Sequence, residues 1–129
     1  MEQATQVFVA ISLLVIGLSH SFQPRAWVVY YQALAAQGTS GAFYEGFLCL
    51  SFGAIIVGFH NVWDGPALMV TLLGWAQVLK GLVRFLAPQL SVRVMARASL
   101  DRAWFFQLGG VFALLLSGFV WWLRFRGRG

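Results

Sequence analysis

Apolar positions along this chain gather into four long blocks separated by short polar punctuation. They run from Val7 through Leu18 to Phe22, from Gly41 to Phe59, from Pro66 to Leu86 and from Ala103 to Leu123. The hydrocarbon core of a bilayer is ~30 Å thick and takes roughly 20 apolar residues of helix to cross. Backbone polar groups find no water there, so a single segment of this length crosses as a helix. The pattern predicts an all-α, integral membrane four-helix bundle that occupies residues 1–129 as one domain. The leader Met1 to Gln6 has no Lys or Arg, and Gly17 to Ser21 has no Ala-x-Ala-like pattern. The first block is therefore expected to be a retained span and not a cleaved signal.

The four blocks divide into two units. Gly17, Pro24 and Gly46 each recur 64 residues later, as Gly81, Pro88 and Gly110. Each unit then reads as a span, a proline break, an amphipathic helix lying in the interface, and a returning span. Trp27, Tyr30, Tyr31 and Leu34 follow an i, i+3, i+4, i+7 rhythm on one helical face, which suits the headgroup boundary. In the second unit Arg93 and Arg97 share one side, facing water or lipid headgroups, and Leu90, Val94 and Ala98 share another. The alternative is that both stretches are ordinary loops over the bundle end.

The punctuation supplies helix boundaries. Gln37 to Ser40 separates the first interfacial helix from the second span, with Ser40 as the expected N-cap. Asp64, Gly65 and Pro66 form a turn, with Pro66 opening the third span, and Asp101 is expected to cap the fourth. Trp104 at one end, and Trp121 and Trp122 at the other, mark the two interfaces of that last span.

Composition strengthens this picture. Hydrophobic residues make up 60% of the chain and charged residues 10%, with a mean hydropathy of +0.76, more apolar surface than a soluble chain of 129 residues could hide. The net charge of +5 sits beside the spans, which favours anionic lipid over nucleic acid as its partner. Arg25, Lys80, Arg84, Arg93, Arg97 and Arg102 share one side of the membrane, against Arg124, Arg126 and Arg128 on the other. That bias predicts cytoplasmic interfacial helices with both termini outside. The single cysteine, Cys49, cannot form an internal disulfide and reads as a small packing residue.

Few side chains suggest chemistry. His20 and His60 end successive spans, so they lie near opposite faces, and one chain cannot clamp a single haem between them. His60, Asn61, Trp63 and Asp64 make a polar turn, with Asn61 and Asp64 expected to close it through backbone hydrogen bonds and Trp63 to anchor it. Small residues at four-residue spacing (Cys49 and Gly53, Ala54 and Gly58, and Gly109, Ala113 and Ser117) allow close helix packing, within the chain or between subunits. Neither a nucleophile elbow, a phosphate loop nor a His-x-x-x-His pair is present, so no catalytic residues, cofactor or metal are expected.

The third span carries a polar stripe of Gln77, Lys80, Gly81 and Arg84 opposite Trp75, and Glu45 lies one turn inside the second span from the same side. An unpaired charge deep in a bilayer costs roughly 3 kcal/mol, which pairing offsets. Glu45 is therefore expected to contact Lys80 or Arg84, within one chain or across subunits. The competing expectation is that both cations snorkel outward and Glu45 faces water.

His60-Asn-Val-Trp63, Thr71-Leu-Leu-Gly-Trp75, Leu79-Lys-Gly81 and Pro88 together resemble small bacterial integral membrane proteins with a His-Asn-Val-Trp turn and a Gly-Trp, Lys-Gly helix. The likeness covers roughly residues 5–90 and leaves out the tail from Arg124 to Gly129. It implies four spans in a bacterial inner membrane and supplies no mechanism. The expected function is that of a non-catalytic membrane protein that assembles with itself or serves as an accessory subunit of a larger complex. The alternative is an oligomeric channel or carrier for a small solute or ion.

Overall fold

The computed structural model describes residues 2–126 and is built from helices and turns alone among them. The elements are α1 (Glu2–Phe22), α2 (Pro24–Ala36), α3 (Thr39–Phe59), α4 (Leu68–Leu86), α5 (Pro88–Ala96), a 3₁₀ turn at Leu100–Arg102, and α6 (Ala103–Arg126). α1, α3 and α4, together with α6 and its leading turn, are long and apolar enough to cross a membrane. Their outward faces are greasy, as lipid requires: Phe47, Phe105 and Leu115 are each more than 60% exposed. Arg128, counted above in the charge bias, lies outside the described residues.

Both stretches after the proline breaks are helices and not loops. Proline opens each, where its missing N–H is an unpaired donor of the first turn in any case. Their orientation differs from expectation. The aromatic face of α2 turns onto the bundle, because its polar handles find partners there: Trp27 Nε1 donates to Ser19 Oγ at 2.8 Å, and its ring stacks on His20 at 4.0 Å. In α5 the buried face is Ser91 and Met95, while Leu90 and Val94 are exposed. Ser91 Oγ shares its proton between the carbonyls of Ala87 and Val83, which also accept the backbone N–H groups of Ser91 and Ala87, and so ties α5 to the end of α4 across Pro88.

Two expected caps and the expected start of the third span also fall elsewhere. α3 begins at Thr39 after Gly38, whose φ of 63° is the left-handed turn that lets the chain reverse, so Ser40 lies inside the helix and caps nothing. Pro66 belongs to the turn before α4, where Leu68 and Met69 donate back to Gly65 and Pro66, and the helix starts at Leu68. Asp101 sits in the 3₁₀ turn and caps nothing.

The four long helices pack as two close pairs, α1 with α6 and α3 with α4, and α2 and α5 lie against each other across one end. The same contacts recur in both pairs at the 64-residue offset. A methyl group on Gly81 would sit 2.7 Å from Leu50 Cβ, and one on Gly17 would sit 2.8 Å from Leu114 Cγ. One on Gly46 would meet Arg84 Cβ at 2.6 Å, and one on Gly110 would meet His20 Cβ at 2.7 Å. Further along, Gly53 rests on the carbonyl of Gly74, and Ser117 Oγ donates to the carbonyl of Ala10 at 2.7 Å. Exchanging the two units therefore carries one helix pair onto the other, the arrangement of a parallel internal repeat. Val9, Ala10, Leu13, Ile56, Val70, Ala113 and Val120 form the apolar core where the pairs meet.

Candidate functional site

The functional groups collect at the end capped by α2 and α5. Glu45, on the second turn of α3, is 5% exposed and has four neighbours. Arg84 Nε donates to its Oε2 at 3.1 Å. Lys80 Nζ lies 3.4 Å from its Oε1, and the Tyr31 hydroxyl donates to the same oxygen at 3.1 Å. Cys49 Sγ stands 3.6 Å from that oxygen as a weak donor, one helical turn below. Lys80 also donates to the Tyr31 hydroxyl at 3.4 Å and lies 5.9 Å from the centre of its ring.

The sequence expected Glu45 to meet one of two cations; it meets both, inside one chain. Glycine makes this geometry available. Gly46 and Gly81 let α3 and α4 approach so closely that Arg84 Cβ touches the α3 backbone, and the guanidinium reaches the carboxylate without extending toward solvent. The Arg84 side chain is largely buried and shows only an edge to the neighbouring cleft, whereas that of Lys80 is 37% exposed. Burial holds the Tyr31 phenol above its ordinary pKa, and with Tyr30 pushed up to about 12, burial first and then the Glu45 charge, both rings stay protonated and able to donate.

Two cations against one carboxylate leave this cluster with a surplus positive charge. Beside it lies a cleft of about 370 Å³, within the range of ligand sites, bounded by Tyr31 and Arg84, by Val94 and Met95 of α5, and by Trp104 and Phe105 opening α6. Arg97 and Arg102 also line it; Arg93 does not.

At the opposite end a second polar cluster is neutral. His60 is completely buried, with Nδ1 at 3.0 Å from Thr71 Oγ1 and Nε2 at 3.0 Å from Gln6 Nε2. The Thr71 hydroxyl donates to the His60 carbonyl and accepts from the Val62 N–H, so the remaining consistent assignment puts the imidazole proton on Nδ1 and leaves Nε2 to accept from Gln6. Burial lowers the pKa of His60 below its usual value, in keeping with a neutral ring. In the turn that follows, Asn61 accepts from Trp63 Nε1 at 2.9 Å, a side-chain bridge in place of the expected backbone closure, and Asp64 is exposed and makes no hydrogen bond among the described residues.

The other expected groups disperse. His20 lies at the α2 and α5 end, with Nδ1 on the carbonyl of Ile16, and does not meet His60. Among the described residues no three His, Cys, Asp or Glu side chains converge. Cys49, Gly53, Ala113 and Ser117 pack inside the chain, while Gly58 and Gly109 face outward, and a methyl group on either would have nothing within 4 Å. Sequence reasoning missed Tyr31 as a partner of Glu45, and Gln6 and Thr71 as partners of His60. A polar group placed on an otherwise apolar span face, as Thr71 is, was the available signal. No family model, curated protein or solved structure matches this chain.

Proposed function

We propose that this is a non-catalytic integral membrane protein of a bacterial inner membrane that self-assembles or serves as an accessory subunit of a larger membrane complex. The observation that carries this reading is a set of outward-facing helix glycines that no part of the chain covers. Gly58 on α3, and Gly109 and Gly118 on α6, contact no other element, although glycine in a helix costs about 1 kcal/mol relative to alanine. The other helix glycines that are buried serve a close crossing within the chain. Glycine that weakens a helix without helping its own bundle suits a surface approached by another helix, since close packing drives association in lipid.

Native mass measurement after extraction in mild detergent tests this. A defined oligomer or a co-purifying membrane partner is expected, and Gly109→Leu or Gly58→Leu should dissociate it without unfolding the chain. A strictly monomeric, partner-free particle overturns the proposal.

A second reading, a channel or carrier formed by an oligomer, is favoured by one observation, the partly exposed Lys80 in the stripe of α4. Against conduction through one chain stands the core around Val9, Ile56 and Val70, which separates the charged end from the His60 end with apolar side chains. Ion and metabolite flux in liposomes distinguishes the readings; absence of flux across a broad panel leaves the assembly reading.

A further inference from the structure

The cleft beside Glu45 combines apolar walls with cations that the chain leaves unmatched. Arg97 and Arg102 are exposed and have no acidic partner among the described residues. Arg84 spends Nε on Glu45, and its two terminal nitrogens make no hydrogen bond among those residues. The first turn of α6 forms a wall, so the positive end of that helix dipole adds to the same field. The remaining walls are greasy and reachable: Val94, Trp104 and Phe105 are 47%, 58% and 67% exposed.

We infer that this cleft is a binding site for one anionic phospholipid, its phosphate held by Arg97, Arg102 and the free edge of Arg84 and an acyl chain lying along Val94, Trp104 and Phe105. Guanidinium groups match phosphate oxygens in forked pairs, and an ammonium does not. A small soluble anion would use the arginines and leave the apolar walls empty; a neutral lipid would use the walls and leave the surplus charge unanswered. Trp104, on the rim, has the amphipathic ring that settles at headgroup depth. The site stands independently of the assembly proposed above.

Native mass spectrometry of the full chain tests the site, titrated with phosphatidylglycerol, with phosphatidylcholine of identical tails, and with inorganic phosphate. One phosphatidylglycerol per chain is expected, preferred about tenfold or more over phosphatidylcholine. Arg97→Gln with Arg102→Gln should abolish that preference, and both residues are exposed, so the bundle survives. Arg124→Gln with Arg126→Gln, at the other end, should leave it intact. Trp104→Ala should weaken both lipids alike. The assignment is overturned if the first double variant keeps the preference, if the second loses it equally, or if inorganic phosphate displaces the lipid. The same spectra report oligomer mass, so loss of the lipid adduct is read separately from loss of assembly.

Discussion

The α3/α4 pair and the α1/α6 pair share their crossings and differ in their polar groups. At the 64-residue offset Arg84 corresponds to His20, Lys80 to Ile16, Tyr31 to Met95, and Glu45 to Gly109. Where one pair buries a carboxylate between two cations, the other has an imidazole bonded to the carbonyl of Ile16 and stacked on Trp27. The backbone solution is common because it depends on glycine at the crossing. The charges need a complete set of partners, and only the α3/α4 half supplies one. A repeated scaffold can thus carry a buried ion cluster at one of its two equivalent helix crossings and not at the other.

The comparison is broken most severely by removing the carboxylate. Glu45→Ala leaves Arg84 buried without a partner, and losing one member of a buried pair costs about 3 kcal/mol or more. Thermal unfolding in detergent should show a large fall in Tm, whereas Lys80→Ala, at the partly exposed end, should cost less than about 1 kcal/mol. Equal effects from the two substitutions would mean that the cluster is not organised around Arg84.

A smaller asymmetry lies in the crossings themselves. A methyl on Gly81 would stand 2.7 Å from the backbone nitrogen of Leu50 and 2.8 Å from its Cα, atoms that cannot move without shifting α3. A methyl on Gly17 would first meet the Leu114 side chain, with a single backbone oxygen at 2.9 Å. Overpacking costs about 1 to 3 kcal/mol, so Gly81→Ala should fall at the upper end and Gly17→Ala at the lower in the same unfolding assay. A reversed order would place the tighter crossing in the other half.

Much of this is legible in the pattern. Span length and hydropathy locate α1, α3, α4 and α6 because the bilayer demands unbroken apolar helices, and Pro24 and Pro88 mark where they break. The spacing of Gly17, Pro24 and Gly46 from their counterparts reveals the repeat. The start of α3 is not legible from side-chain capping, since the chain turns through the positive φ of Gly38 and no side chain caps the helix. Nor is the facing of α2, because aromatic periodicity identifies a face without saying whether lipid or protein covers it. Tyr31 and Glu45 are separated by a helix end and a turn, and only the folded chain brings the hydroxyl to the carboxylate.

The neutral His60 cluster offers a test that titration can read. The folded chain holds His60 with a lowered pKa while the unfolded chain titrates near 6.5, so below that pH the unfolded state binds the extra proton. Stability is therefore present above about pH 6.5 and declines as pH falls, by at most about 1.4 kcal/mol per pH unit. Tm measured between pH 7.5 and 5.5 should decrease, and His60→Gln, which keeps hydrogen-bonding groups without a titrating ring, should flatten the decline. An unchanged slope in that variant would assign the pH response elsewhere.

The finest contrast is between Ser117 and Gly53, equivalent positions that solve the same crossing differently. Gly53 has no side chain and lets α3 rest on the carbonyl of Gly74. Ser117 fills the corresponding place and donates to the carbonyl of Ala10, a buried bond at 2.7 Å that ties α6 to α1. Hydrogen bonds between helices in a membrane average about 0.6 kcal/mol, because the separated helices also find partners for their polar groups. Ser117→Ala removes this one while keeping nearly the same volume, and the Ala10 carbonyl retains its place in the helix ladder. The expected loss is therefore about 0.6 kcal/mol in reversible unfolding. Ser117→Gly, which turns α6 into a copy of α3 at this point, should cost more, because it adds a helix-weakening glycine and leaves a gap between helices spaced for serine. Should Ser117→Gly prove as stable as Ser117→Ala, the α1/α6 pair must be able to close to the separation seen in α3/α4, and the two crossings would differ in residue alone.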